Sequence, residues 1–468
     1  MSIRFFNTLT RALEPFVPLR AETGEVTLYT CGPTVYSYAH IGNFRAYMFE
    51  DLLQRHLEAR GYRVRRVMNL TDVDDKTIRG CRAEGIPLAD FTARFKAAFF
   101  EDLDALRIRR ADAYPAATDP ENIERMIAMI GQLLASGHAY QAEDRSVYFR
   151  LSSFPDYGKL AHLDLSELRP SGRVRSDEYE KESLGDFALW KAWDEADGPV
   201  AWESPWGRGR PGWHIECSAM ATRLLGDEID IHCGGVDNIF PHHEAEIAQS
   251  ECCTGRRFVR TWLHCAHLLV EGQKMSKSLG NFFTLRDLLA KGFSGREIRY
   301  ALLSVHYRLP LNFRIAGLEG ARSALGRIDE WIARLTDHAG AAAAEPHPAA
   351  ESDAFGAALD EDLNISAALA VLFDTIRDTH RALDSGTLTP GQARALLDWW
   401  TKIDTVLALA PGEPTGIPAE VEALAARRAA ARSAKDWAES DRLRDAIRAL
   451  GWEIKDTRDG ASKLSRIP

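Results

Sequence analysis

Two thiols, an imidazole and a carboxylate in this 468-residue chain make a donor set suited to one zinc ion. Cys31 closes an apolar run, Cys217 ends Gly-Trp-His-Ile-Glu-Cys, and His242 and Glu246 stand four apart in Phe-Pro-His-His-Glu-Ala-Glu. A helix puts positions i and i+4 on one face, so the last two can turn toward a single ion. Spacing alone does not bring Cys31 and Cys217 to that face, and an isolated buried cysteine is usually a small packing residue. His243 adjoins His242 but lies about 100° around a regular helix. It is expected to miss the ion, and Glu244 likewise. Cys81, Cys265 and the Cys252-Cys253 pair read as packing residues. Cys233, in Asp-Ile-His-Cys-Gly-Gly, stays open between disturbing the metal and simple packing.

Two further groups suit phosphate. His40-Ile41-Gly42-Asn43 lies where a strand passes into a helix. Helix N-terminal amides attract phosphate, and a glycine lets a flat base approach the backbone. A histidine there can donate to phosphate oxygens, although a four-residue match alone is more simply a surface turn. Lys274-Met275-Ser276-Lys277-Ser278 is more specific, since two lysines flank small hydroxyl residues. Lysines on a mobile loop can hold a pyrophosphate as it leaves the α-phosphate. An exposed basic turn becomes a poor explanation once both motifs occupy one α/β sheet.

The elements that must position these groups read as follows. Residues 25–30 form a buried strand, 43–60 an amphipathic helix, and 62–70 an alternating strand, which together make a βαβ unit. Helical patterns cover 74–106 and 122–136. Residues 111–204 read as an insertion between two halves of a parallel sheet, with a polar, irregular stretch over 152–185. The α/β pattern returns with a strand at 228–232, a helix over 241–252 and a strand-like run over 261–270. Beyond it the chain is helical, interrupted by an Ala/Pro-rich segment at 339–350, with helices over 353–385 and 390–409. Residues 411–418, with three prolines and two glycines, mark a boundary. The tail has helices over 419–433 and 436–450 and a strand starting at Trp452.

Composition narrows the class. The net charge of −10 disfavours a protein that coats nucleic acid, while local basic contacts stay open. From residue 417 onward eleven Lys/Arg face nine Asp/Glu, about +2, so the tail is mildly basic on an acidic chain. Seven irregularly spaced cysteines argue against a disulfide framework and for a reducing compartment. No apolar run of secretory or membrane-spanning length is present, so a cytoplasmic location and no membrane partner are expected.

Longer motifs run through the chain: Phe6-Asn-Thr-Leu-Thr10, Cys31-Gly-Pro-Thr-Val-Tyr36, Asn69-Leu-Thr-Asp-Val-Asp-Asp-Lys76, Gly209-Arg-Pro-Gly-Trp-His-Ile-Glu-Cys217, Phe240-Pro-His-His-Glu244 and Lys274-Met-Ser-Lys-Ser-Leu-Gly-Asn281. In this order they resemble cysteinyl-tRNA synthetases, class I aminoacyl-tRNA synthetases, from end to end. The resemblance implies an α/β fold: a Rossmann-like catalytic core with a parallel sheet and an insertion, then a helical bundle and a small C-terminal anticodon-binding domain. The implied divisions are 1–110 and 205–312 for the two halves of the core, 111–204 for the insertion, 313–410 for the bundle and 417–468 for anticodon recognition.

The same resemblance makes Cys31, Cys217, His242 and Glu246 ligands of one zinc ion that accepts the thiolate of L-cysteine. Serine is nearly isosteric with cysteine, and a plain pocket separates such analogues by only about 1–3 kcal/mol. Coordination of a soft thiolate adds a difference that a hydroxyl cannot match. Thr71, Trp213 and His232 match positions lining the amino-acid pocket. His40, Gly42 and Asn43 match the first ATP signature, Lys274 and Lys277 the second, and Asp237 is an ATP contact. His40, Asn43, Lys274 and Lys277 are the implied catalytic residues. Cysteine is activated with ATP, accompanied by Mg2+, and then passed to tRNA(Cys) by a monomeric enzyme. Two positions depart from the pattern: Asn43 stands where many class I enzymes have histidine, and Cys233 where glycine is usual. Arg427, Arg428, Arg432, Lys435, Arg442 and Arg444 are candidate RNA contacts, and Trp437 and Trp452 either stack on bases or pack. A ligase joining cysteine to an amino sugar would lack the terminal region, and a non-catalytic tRNA-binding paralogue would have lost His40, Lys277 or the metal donors; neither change is seen.

Overall fold

The computed structural model describes residues 2–163, 169–174, 183–275, 280–411, 419–456 and 462–466. The chain divides into two compact units, residues 1–409 and 410–468.

The first unit opens on an antiparallel hairpin, β1 (Arg4–Asn7) and β2 (Ala12–Pro15), which the sequence pattern did not announce. Then β3 (Glu25–Thr30), α1 (Ile41–Ala59) and β4 (Arg63–Met68) form the expected βαβ unit, with β3 and β4 parallel. Five of the six β3 residues are buried, without the alternation of a one-sided strand, because both faces of a central parallel strand are covered. The helical pattern over 74–106 resolves into α2 (Asp75–Glu84) and α3 (Leu88–Ala105). Gly85, left-handed at φ 68°, ends the first, and Pro87 precedes the second. The helix expected over 122–136 is α4 (Pro120–Ala135).

Beyond α4, β5 (Ala139–Gln141), β6 (Val147–Phe149), β7 (Arg169–Val174), β8 (Ser183–Ala192) and β9 (Gly209–Pro211) build a separate sheet ordered β5-β6-β8-β7, with β9 paired to β8. The stretch expected to be irregular therefore holds β7 and the start of β8, while residues 164–168 and 175–182 lie outside the described residues. Pairing with distant strands supplies a regularity that the polar local sequence does not display.

The second half of the core is α5 (Trp213–Leu225), β10 (Ile229–Gly235), α6 (Glu244–Thr254) and β11 (Val259–Cys265). The central sheet is ordered β11-β10-β3-β4 and is parallel throughout. From β3 the chain proceeds outward to β4, and from β10 outward to β11 on the other side. The crevice beyond the carboxyl ends of β3 and β10 is thus the topological switch point, where open α/β sheets bind ligands. The run over 261–270 is interrupted at Ala266-His267: after β11 comes β12 (Leu268–Val270), which pairs with β13 (Gln273–Lys274) and β14 (Leu311–Phe313).

Helices α7 (Leu285–Ala290) and α8 (Gly295–Leu303) lead to the bundle of α9 (Ile315–Ala339), α10 (Pro348–Glu351), α11 (Ala354–Asp360), α12 (Ile365–Asp384) and α13 (Pro390–Leu407). Trp331 of α9 meets Trp399 and Trp400 of α13 edge-on, and its Nε1 donates to Thr379 Oγ1 of α12 at 2.7 Å. Arg299 of α8, fully buried, donates to the Leu407, Leu106 and Arg107 carbonyls and to the Asp51 carboxylate of α1. Two of those carbonyls belong to the ends of α13 and α3, where helices leave acceptors without intrahelical partners. Among the described residues no helix is long and apolar enough to cross a membrane.

The second unit contains α14 (Ala419–Ser433), α15 (Trp437–Ala449) and an antiparallel pair, β15 (Trp452–Asp456) and β16 (Ser462–Arg466). Most of the expected boundary, residues 412–418, lies outside the described residues. Trp452 packs with Val421, Ile447 and Ile454, which decides between stacking and packing for that residue. Trp437 is 58% exposed, with the Arg432 guanidinium 5.9 Å from its ring. Arg428 is only 3% exposed, so it does not present itself to RNA as expected: its place on α14 turns it inward. Arg427 and Arg442 both pair with Glu439, and Arg444 pairs with Asp441.

Candidate active site

The switch-point crevice holds a cavity of about 490 Å³ whose wall includes Cys31, His40, Gly42, Asn43 and Trp213. Asp237 and Lys274 line it as well. Thr71 and His232 do not; both are buried behind the wall. Thr71 pairs through its backbone with Pro33 and Val35, while its hydroxyl accepts from Asn69 Nδ2 and donates to Glu216 Oε2 at 3.1 Å. Lys277 lies outside the described residues. Asp237, on the turn after β10, has its Oδ2 3.3 Å from His267 Nδ1.

The His40-Ile-Gly-Asn43 motif is also the start of α1. The His40 Nδ1 accepts from the Asn43 backbone N–H at 3.2 Å, and Asn43 Oδ1 accepts from the His40 N–H at 3.1 Å. This reciprocal cap satisfies two amides at the helix start and, in the neutral ring, assigns the hydrogen to Nε2. The unusual Asn43 thus has a structural task that an uncharged amide performs well. The Ile41 N–H donates to Phe283 O and the His40 ring meets Phe282 edge-on, so the segment following the lysine loop braces the first motif. Asn43→Ala is expected to cost about 1 kcal/mol in urea unfolding.

Beneath the cavity the four expected metal donors converge. Cys31 follows the end of β3, Cys217 lies in α5, His242 precedes α6 and Glu246 is in its first turn. Their donor atoms all lie within 4.8 Å of one another, and His242 Nε2 stands 3.0 Å from Glu246 Oε1. His242 Nδ1 is 2.9 Å from His214 Nδ1, and Trp213 stacks on the His242 ring at 4.3 Å. The hydrogen bond with Cys31 holds the Cys217 thiol down to about 6, against burial, while the Cys31 thiol is pushed well up. Burial opposes charge on His242, yet Cys217 and Glu246 raise it to about 10. Burial likewise opposes charge on Glu246, but His232 and His242 bring it to about 2. The cluster thus favours protons on Cys31 and His242 beside negative charge on Cys217 and Glu246, and a divalent cation can replace those protons. The donor set and its burial fit zinc.

Sequence reasoning kept His243 off the His242 face on the assumption of one regular helix from residue 241; the local geometry differs from that assumption, but His243 still stays out of the donor group that contains His242. Ile239–His243 is a π-type turn with Phe240 extended (φ −136°, ψ 134°), and α6 begins only at Glu244. His243 Nε2 comes within 3.2 Å of Cys31 Sγ, in an alternative grouping with His232 and Glu246. Glu244 is turned away as expected, accepting from the Leu160 and Ala161 N–H groups. Three buried partners, His214, His264 and Glu216, carried no spacing signal of their own. Cys233 is buried with its thiol pushed well up by burial, and its sulfur is in neither group of metal-competent donors among the described residues. Its carbonyl accepts from the Cys31 N–H.

Gly32 lets the Cys31 loop press against Asn69. A Cβ there would stand 1.8 Å from the Asn69 carbonyl oxygen and 3.0 Å from Met68 Cγ. Gly32→Ala is therefore expected to displace Cys31 and weaken zinc about 10–100-fold in a chelator competition, the scale of a misoriented ligand.

A family model described as the class I tRNA synthetase (C) catalytic domain matches residues 17–323, more than half of the chain. The chain belongs to the cysteine–tRNA ligase family. Two further models match, the DALR domain at 354–410 and the cysteinyl-tRNA ligase anticodon binding domain at 415–461. The cysteine–tRNA ligase of Chlamydia muridarum is 52% identical and aligns over 100% of both chains; that of Chlamydia pneumoniae is 51% identical over 97% of each. Among solved structures, Mycobacterium tuberculosis methionyl-tRNA synthetase in complex with methionyl-adenylate superposes with TM-score 0.58 at 15% identity, covering 82% of this chain and 89% of that one. The Agrobacterium radiobacter K84 agnB2 LeuRS–tRNA–LeuAMS complex gives 0.60 at 13%, covering 82% and 84%. At such identities these two speak for the class I fold that the family shares.

Proposed function

We propose that this chain activates L-cysteine with ATP and transfers the cysteinyl group to the 3′ end of tRNA(Cys). The observation that carries the reading is the meeting of two thiols, an imidazole and a carboxylate beneath a cavity walled by both nucleotide motifs. Cys31, Cys217, His242 and Glu246 would hold Zn2+, a thiophilic Lewis acid that binds the substrate sulfur. Trp213, stacked on His242, closes the apolar side of that pocket, while Thr71 and His232 support it from behind. His40, fixed by the Asn43 cap, offers its Nε2–H to phosphate oxygens as charge develops at the α-phosphate. Gly42 lines the cavity on the ATP side and lets the His40 ring lie against the helix start: a Cβ there would lie 2.9 Å from that ring and 3.2 Å from Met275. Lys274 and Lys277 steady the departing pyrophosphate, with Mg2+ entering on ATP, and Asp237 borders the nucleotide.

In this reading residues 1–110 and 205–312 are the two halves of the catalytic core, 111–204 an insertion, 313–410 a bundle and 417–468 the anticodon reader. The enzyme works as a cytoplasmic monomer. Cysteine-dependent pyrophosphate–ATP exchange, with serine as control, tests the first step, and charging of tRNA(Cys) tests the second. Cysteine is expected to be preferred beyond the roughly 10–200-fold that a plain pocket achieves. Equal use of serine would remove the metal-selection reading, and exchange without charging would point to a ligase with another acceptor.

A further inference from the structure

We propose that Tyr36 and Tyr38, at the rim of the cavity, form a stacking platform for the unpaired 3′ end of the tRNA. The proposal rests on the charging reading above, whose second step needs the terminal ribose of an RNA beside the activated carboxylate. Both rings belong to the short segment that joins Thr34 to His40, and those two residues line the cavity. Tyr36 is 37% exposed and Tyr38 46%, and among the described residues no other tyrosine is exposed to that degree.

The segment is held at both ends. The Val35 N–H donates to Thr71 O at 3.0 Å and the Tyr36 N–H to Thr34 O at 3.1 Å, while His40 is fixed by the cap of α1. Each ring is also steadied by a cation. Lys76 Nζ lies 5.4 Å from the centroid of the Tyr36 ring, and Arg286 Cζ lies 5.1 Å from that of Tyr38, which meets Phe95 edge-on. A ring already held by a cation and a neighbour loses little freedom when a base stacks on it.

Exposed aromatic faces beside cations suit an unpaired nucleic-acid strand, because every base offers a π face to the rings and every phosphate a charge to the cations. Arg286 is also paired with the exposed Glu101 at 2.6 Å and with Asp102 at 3.3 Å. Solvent screens the first of those pairs, so a phosphate can share the guanidinium. The net charge of −10 disfavours diffuse attraction of RNA, which leaves delivery of the 3′ end to contacts built locally at the mouth. Thr34 and His40 flank the tyrosines on the cavity wall, so a base stacked on them leaves the next ribose at the entrance.

The test uses the full-length protein and an in vitro transcript of tRNA(Cys), either intact or lacking its unpaired 3′ nucleotides. For the wild type, removing those nucleotides is expected to weaken binding about 10-fold or more, the scale of base–aromatic stacking. Tyr36→Leu and Tyr38→Leu are each expected to lower kcat/KM for charging about 10-fold. Cysteine-dependent pyrophosphate exchange should stay at the wild-type rate in both, which also shows that they are folded. The doubly substituted protein is expected to bind the two transcripts alike, and Tyr36→Phe, which keeps the ring, to charge as the wild type does. Unchanged charging in both leucine variants would overturn the platform, as would a difference between transcripts that survives the double substitution. Exchange that falls as far as charging would overturn it too, because the rings would then serve ATP or cysteine. A wild type that exchanges but does not charge would remove the tRNA reading itself, and the platform with it.

Discussion

Replacing Cys217 with alanine is expected to lower cysteine-dependent exchange on the order of 10³-fold in kcat/KM, the scale seen when a directed electrostatic contact is removed. Cys217 belongs to the donor group that contains His242, and its thiol is the more acidic of the two cysteines, held near 6 by Cys31. Without it, His242 loses the main partner that outweighs its burial, and Glu246 loses the charge balance of the cluster. The preference for cysteine over serine should collapse toward the plain-pocket value of about 1–3 kcal/mol. The check is exchange kinetics with both amino acids. Full activity in Cys217→Ala would end the zinc-selection reading.

The largest effect on stability is expected at Arg299. Arg299→Met preserves much of the side-chain volume but withdraws the guanidinium from the Asp51 carboxylate at 2.6 Å and from three carbonyls at 2.7–3.1 Å. Asp51 keeps Arg55 Nε at 2.8 Å and the Arg109 N–H. The carbonyls at the ends of α3 and α13 have no comparable substitute in the methionine side chain. Breaking a buried pair from one side typically costs about 3–5 kcal/mol, and urea unfolding should register that loss. The pH dependence has a definite sign. Burial opposes charge on Asp51, but Arg299 and Arg55 hold its carboxyl below the ordinary value of 3.8. A depressed folded value adds stability that is complete above the unfolded carboxylate range and lost as pH falls through the folded value. The wild type should therefore lose more stability on acidification below about pH 4 than the variant does. Parallel acid curves for the two proteins would refute this.

Much of the site was legible in the sequence because its motifs encode local geometry. His40 and Asn43 are three apart because a capping box requires that spacing. His242 and Glu246 converge because one turn of chain separates them, and the βαβ unit at 25–68 followed from hydrophobic pattern and length. The failures share a cause. The hairpin β1–β2 and strand β7 arise from pairing with distant chain, which a local pattern does not contain. Arg428 resembles its exposed neighbours in sequence and differs only in the direction that α14 gives it.

By itself the sequence determined the fold class, most strands and helices of the core and the family, since each depends on residue identity at short range. Tertiary structure alone decided which donors meet. Parallel pairing of β3 with β10 brings Cys31 beside a strand from the other half of the core, and α5 delivers Cys217 to the same point. The irregular turn before α6 then sets His243 beside Cys31. Coordination needs atoms within a few ångströms, and only the folded chain sets distances between residues so far apart along it.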